Sequence, residues 1–182
     1  MKALKKARLV LGALALVLTM SQVSHAQLNS NNATVNLNAV LAESLTVAAG
    51  PATVNFTLAA NGPANGSAPV SITTTWALGK TRTSVKLYAY FTSANALTDG
   101  AGDNIPTSKV TGSVNAGAAA PFTSATPFGA NGMTVFSSTI GAAGTFNSTH
   151  GPDTIALTID TTGLALPAAT YTGVLNIQAQ AI

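Results

Sequence analysis

The chain ends with Leu166–Ile182, which reads LPAATYTGVLNIQAQAI and carries the clearest structural pattern in the sequence. A proline-containing corner leads into an alternating run, and a period of two is typical of a strand with one buried face. The residues that share the apolar face are Tyr171, Gly173, Leu175, Ile177, Ala179 and Ala181. We therefore predict a half-buried strand here.

Tyr171 suggests where this strand belongs. In immunoglobulin-like sandwiches, a tyrosine at the start of strand F bonds its hydroxyl to upstream backbone, and strand G follows. Here the given sequence contains no further alternating segment after the Tyr171 strand. This interpretation predicts a sandwich without its last strand, with Tyr171, Leu175 and Ile177 along the edge of the resulting groove.

Working back from this strand, the same alternation recurs, and no segment after the first 26 residues carries a helical apolar stripe. The predicted strands are Thr34–Leu41 with a continuation at Leu45 and Val47, Val54–Leu58, Pro69–Ala77, Ser84–Phe91, Lys109–Val114, Met133–Ile140, Thr154–Asp160 and the final strand. Eight or nine strands with polar turns predict an all-β, immunoglobulin-like Greek-key β-sandwich.

The segments between these strands are predicted to be loops. Thr92–Pro106 loses the alternation and contains the turn signals of Asp99–Asn104. The loop over 115–132 carries Phe122 and Phe128, which we expect to pack onto the core. Met133–Ile140 and Thr154–Asp160 are expected to pair with each other around a glycine-rich tip. Trp76 lies on an apolar face and is expected in the core.

The first 26 residues have the features of an export signal, with a basic start, a short apolar segment and a small-residue cleavage site at Ser24–Ala26. The apolar segment, Leu9–Met20, is too short to span a bilayer as a helix. We expect the mature chain to begin at Gln27, with a disordered lead over 27–32 and a single domain over 33–182. The expected location is the periplasm, the cell surface or the extracellular space, with the membrane involved only in export.

Charge and cysteine content restrict the function further. Half of the eight basic residues lie in the signal, so the mature chain is close to neutral. Nucleic-acid binding needs a clustered basic surface, which this chain lacks, and we expect no nucleic-acid partner. With no cysteine, the domain must rely on packing and backbone pairing. A nearly uncharged surface favours close packing against copies of itself.

Few residues are suited to catalysis. His150 is the only histidine after the signal and Glu43 the only glutamate, and no nucleophile elbow or metal-binding spacing occurs. We expect His150 to be an exposed turn residue, and we predict no enzyme activity, no catalytic residues and no cofactor. Asp99, Asp103 and Asn104 offer oxygens for Ca²⁺, but their spacing does not match an EF-hand, and acidic turn residues also bond their own backbone.

Two other groups of residues are candidates for interaction. Tyr88 and Tyr90 alternate on the outer face of one strand, where aromatic rings bind sugars or partners, or simply cover the sheet. The segment Thr34–Leu41 alternates behind a polar lead and is either strand A of its own sheet or a donor strand for another chain. Its apolar positions are Val35, Leu37, Ala39 and Leu41.

With its cleavable signal, the alternating arm at Thr34–Leu41, the low charge and the ending Ala-Thr-Tyr171-Thr-Gly173 before an alternating strand, the sequence resembles exported bacterial proteins of the fimbrial-subunit and spore-coat-U type. The resemblance implies assembly by a periplasmic chaperone and an outer-membrane usher, with the arm of a neighbouring subunit completing each fold. We therefore expect a structural or adhesive surface protein that associates with itself. The alternative is a secreted monomeric module that binds a carbohydrate or another ligand.

Overall fold

The computed structural model describes residues 30–123 and 132–182. These residues form antiparallel β-strands and a single short 3-10 turn at Thr107–Lys109. The strands are β1 Ser44–Gly50, β2 Pro63–Asn65, β3 Val70–Ala77, β4 Ser84–Tyr90, β5 Asn95–Thr98, β6 Asn104–Pro106, β7 Val110–Val114, β8 Ala119–Pro121, β9 Met133–Thr139, β10 Asn147–Asp160 and β11 Asn176–Ala181. The predicted all-β class is confirmed.

The strands form two main sheets and a small hairpin. The larger sheet has the order β1-β3-β10-β7-β8, and β2 pairs with β10 beside it. The smaller sheet has the order β11-β4-β9, and β5 pairs with β6. The described residues from Val40 onward make one compact unit, whereas residues 30–39 form no helix or strand.

The core lies between the two main sheets. Alternation in β3 and β4 sends every second side chain inward, where Ile72, Val85 and Leu87 are fully buried. Side chains of β10 complete the layer from the larger sheet. Trp76 is in the core as predicted, and so is Phe122, which packs edge-on against Phe91 with ring centroids 5.2 Å apart.

Several expectations about strands were wrong. Thr34–Leu41 forms no strand in this chain, and the first strand begins only at Ser44. Val54–Leu58 contributes a single bridge, from Phe56 to Gly66, because the chain there passes along the sheet edge without a ladder. Thr92–Pro106, predicted to be a loop, contains the β5–β6 hairpin, whose tip is Asp99–Asp103.

The pairing predicted for Met133–Ile140 and Thr154–Asp160 is also wrong. β9 pairs with β4 in the smaller sheet, whereas β10 pairs with β3 and β7 in the larger one. The two strands therefore lie in different layers, and the glycine-rich segment between them is a crossover between the sheets.

The hydrogen bond expected of the Tyr171 hydroxyl is present. The hydroxyl of Tyr171 donates to the carbonyl of Pro167 at 3.1 Å, which ties the start of the last segment to the chain four residues earlier. Gly173, two residues later, lies so close to the carbonyl of Ala96 that a side chain would collide with it. The ladder with β4 then begins at Asn176 and continues through Ala181.

Some predictions concern residues outside the described ranges: the export signal, the cleavage site, Gln27 and Phe128. Within residues 30–123 and 132–182, no helix has the length and apolar character needed to cross a membrane.

Candidate functional site

The main candidate is the outer edge of β11. Among the described strands, β11 pairs only with β4. Ser84 and Ile182 exchange both of their backbone hydrogen bonds. Because such pairs alternate along an antiparallel ladder, Gln178 and Gln180 bond towards β4, whereas Ile177 and Ala179 direct their N–H and C=O groups away from it. The backbone of β11 thus offers donors and acceptors to an incoming strand.

The side chains at the same positions face the core. Ile177 and Ala179 pack against the main apolar cluster, as do Leu175 and Tyr171 before them. All four are only half-buried, whereas the inward residues of the neighbouring strand, such as Leu87 and Ala89 of β4, are completely covered. The edge of the smaller sheet therefore leaves part of the core open along the line on which its backbone is unpaired.

The edge of the larger sheet borders the same opening. An open cleft of about 370 Å³ lies between the start of β1 and the end of β11, with Ser44 and Leu45 on one side and Ala179–Ala181 on the other. Leu45 and Val47 of β1 are half-buried, like the residues opposite them. Glu43 and Arg82 also line this cleft, and β1 and β11 approach each other there. We call the cleft, together with the edge of β11 at Ile177 and Ala179, the groove.

The candidate donor segment is exposed. The exposed fractions are 81% for Val35, 92% for Leu37 and 80% for Leu41, and Ala39 is exposed as well. Val40 is also exposed, at 86%. Large apolar side chains clustered at this level of exposure are unusual in a soluble monomer and mark surfaces that bind something. We call residues 30–41 the arm.

An ion pair lies just after the arm. Glu43 Oε2 accepts from Arg82 Nη2 at 3.0 Å, and Glu43 Oε1 accepts from the backbone N–H of Gly79 at 2.6 Å. The guanidinium of Arg82 and the N–H of Gly79 lower the pKa of Glu43. Arg82 Nη1 also donates to the carbonyl of Ala181 at 3.5 Å. One cation therefore connects the β3–β4 turn, the residue before β1 and the end of β11.

The predicted tyrosine strip is only partly available. Tyr90 is 6% exposed, and its hydroxyl donates to Gln178 Oε1 at 3.0 Å across to β11. It therefore supports the sheet instead of offering a ring face to solvent. Tyr88 is half-buried and lies beside Gly132. Tyr88 is therefore the more exposed of the two rings.

The candidate calcium ligands lie together at the tip of the β5–β6 hairpin. Asp99 Oδ1 accepts from the N–H groups of Ala101, Gly102 and Asp103, and these bonds lower the pKa of Asp99, with Ala101 contributing most. Asn104 Nδ2 donates to the carbonyl of Gly102. The geometry is that of a self-bonded turn. In the described ranges, no three histidine, aspartate, glutamate or cysteine side chains come close enough together to hold a metal ion.

The expectation that His150 lies in an exposed turn was wrong, because His150 lies within β10. Its ring stacks on Phe136 with centroids 3.6 Å apart, and its Nε2 lies 3.3 Å from Oδ2 of the buried Asp153. Asn115 Nδ2 donates to Asp153 Oδ1 at 2.9 Å, and Asn115 Oδ1 accepts from the N–H of Thr154. No sequence pattern predicted this cluster, because it forms at a shift in the register of β10.

No protein-family model, no curated protein and no solved structure matches this chain.

Proposed function

We propose that the chain is an exported structural subunit of the cell surface, in which the arm of one copy fills the groove beside β11 of another copy. One observation carries the proposal: among the described residues, the chain has a sheet edge without a partner strand over a partly uncovered core, and an exposed alternating apolar segment that fits such an edge. Addition of a strand supplies backbone bonds for affinity and side-chain pockets for specificity.

The strand order supports an immunoglobulin-like arrangement. In constant-type domains one sheet has the order ABED, and the other contains C, F and G. Here β1-β3-β10-β7 corresponds to ABED, and β4 and β11 correspond to C and F. The tyrosine corner at Tyr171 lies where strand F begins. In this assignment the position beyond β11, which belongs to strand G, is the one that the incoming arm takes.

Export is the other part of the proposal. The basic start, the apolar segment and the Ser24–Ala26 site direct the chain out of the cytoplasm, and the mature protein begins with the polar lead and the arm. A periplasmic chaperone that covers the groove before assembly fits this arrangement, because an exposed sheet edge aggregates readily. Low surface charge favours close packing in a coat or fibre.

The test is removal of residues 27–41 from the mature protein. We expect the shortened chain to keep its far-ultraviolet circular dichroism spectrum and a cooperative unfolding transition, and to remain monomeric in light scattering under conditions in which the full chain forms larger species. A length-matched control replaces Val35, Leu37 and Leu41 by serine and should behave like the deletion. Unfolding of the shortened chain, or undiminished assembly, would refute the proposal.

A further inference from the structure

We propose that Arg82, held by Glu43, is a positioning residue that closes one end of the groove and fixes the register of the inserted arm. This inference rests on the proposed function. The chain has little charge, yet its only glutamate and the only arginine after Arg8 form an ion pair at this point. The pair lies in the cleft between β1 and β11.

The position of the guanidinium carries the argument. The alternation along β11 that directs Ile177 and Ala179 to the open edge also directs the carbonyl of Ala181 there. That carbonyl is the one to which Arg82 Nη1 donates. Within the described strands, the outward backbone groups of Ile177 and Ala179 therefore remain for an inserted strand, whereas the guanidinium of Arg82 lies 3.5 Å from the carbonyl of Ala181 and competes for it.

A residue that closes one end of the groove is needed because the apolar pattern of the arm does not define its own register. Side chains alternate with a period of two, so a slip of one residue turns the apolar face outward and is excluded, whereas a slip of two residues keeps it inward. The arm repeats an apolar residue at positions 35, 37, 39 and 41. Alternation alone therefore permits neighbouring registers two residues apart, and a closed end selects among them.

Glu43 holds the guanidinium of Arg82 in place. Its carboxylate accepts from both Nε and Nη2 of Arg82, at 3.3 Å and 3.0 Å, and from the N–H of Gly79. A fork bound at two nitrogens has less rotational freedom than a free side chain. Glu43 also directly precedes β1, so the same bond fixes the point at which the chain enters its first strand.

Disulfide trapping between two copies measures the register, because the chain contains no cysteine of its own. Donor copies carry Asn36→Cys or Asn38→Cys. Acceptor copies carry Gln178→Cys or Gln180→Cys, which lie two residues apart. Both glutamines bond towards β4, so they form non-hydrogen-bonded pairs with an inserted strand, in which side chains approach most closely. The yields of the four mixed disulfides are read by mass spectrometry.

With Arg82 in the acceptor, we expect each donor cysteine to react mainly with one of the two acceptor positions. Arg82→Gln in the acceptor copy should raise the yield at the minor position several-fold relative to the major one. Lys80→Gln is the matched control, since it removes a cation from the same turn, and should leave the ratio unchanged. Equal yields with Arg82 present, or an unaltered ratio in Arg82→Gln, would overturn the inference.

A second variant keeps the test decisive if Arg82→Gln does not fold, as judged by its thermal unfolding. Glu43→Gln leaves the guanidinium but removes its charged partner, and should shift the same ratio in the same direction by a smaller factor. An unaltered ratio there would refute a positioning role. Failure of the proposed function gives a different result: no mixed disulfide at either acceptor position, even with Glu43 and Arg82 intact.

Discussion

Truncation of Leu37 should separate folding from assembly. Leu37 is 92% exposed, so it makes almost no contact that a smaller side chain would lose in the free subunit. We expect Leu37→Ala to leave the midpoint of thermal unfolding unchanged. In the proposed assembly the same side chain is buried in the groove of the neighbouring copy, so its truncation should weaken the contact between subunits.

The size of this effect follows from the carbons removed. Each buried methylene contributes about 0.8 kcal/mol, so the loss of three carbons at a site that is covered on most sides should cost about 2 kcal/mol. That free energy corresponds to a roughly thirtyfold weaker association. Sedimentation velocity over a concentration series measures the shift directly.

Asn36→Ala and Asn38→Ala are the matched controls. Both asparagines lie in the same exposed segment but alternate with the apolar positions, so they point away from the core of the acceptor. Each should change association much less than Leu37→Ala. Two results would refute the reasoning: a lower unfolding midpoint for Leu37→Ala in the monomer, or an association constant equal to that of the parent protein.

Three further predictions concern other parts of the molecule. Asn115→Ala should lower the free energy of unfolding by about 2 kcal/mol in urea titrations, because the buried carboxylate of Asp153 loses a donor; an unchanged value would contradict this role. The bond between Glu43 and Arg82 lowers the pKa of Glu43, so the stabilisation from this bond is complete above the usual glutamate pKa and is lost as the pH falls through the lowered value. Glu43→Gln should remove that part of the acid dependence of the unfolding midpoint. An unaltered acid profile would argue against a stabilising ion pair. Tyr88→Ala should leave retention on glycan columns unchanged if the protein is a structural subunit, whereas lost retention with intact folding would favour the ligand-binding alternative.

Strands with strong alternation could be predicted from sequence. In β3 and β4, every second residue is apolar except Thr74, and burial of those residues leaves a single choice of face. The hydrogen bond from Tyr171 to Pro167 was predictable for a different reason, since a tyrosine just after a proline-containing corner has upstream carbonyls within reach.

Pairing between strands was harder to predict. Because β9 and β10 are close along the chain, we predicted that they form a hairpin. Instead, β9 pairs with β4, and the segment between β9 and β10 crosses from one sheet to the other. The β5–β6 hairpin was missed because its strands have four and three residues, too few for an alternating pattern to emerge. Short strands of this kind depend on neighbours that sequence periodicity does not reveal.

The candidate site was predictable only in outline. The alternation of Val35, Leu37 and Leu41 indicated a strand but not whose sheet it would join, because both answers bury the same face. The contacts of Arg82 with Glu43 and Ala181 span residues far apart in sequence, and no local pattern predicts them. The ring stack of His150 on Phe136 joins strands of different sheets, so no local sequence pattern predicts it either.

The groove and the arm are different surfaces of one chain, and this limits the symmetry of any assembly that they build. A contact between unlike patches is heterologous, so two copies either exchange their arms mutually in a closed pair or pass them on from one copy to the next. Where the arms are passed on, successive copies extend in one direction, to a closed ring or an open filament. An open filament would have two chemically distinct ends, one with a vacant groove and the other with an unused arm, so that growth at each end can be capped independently.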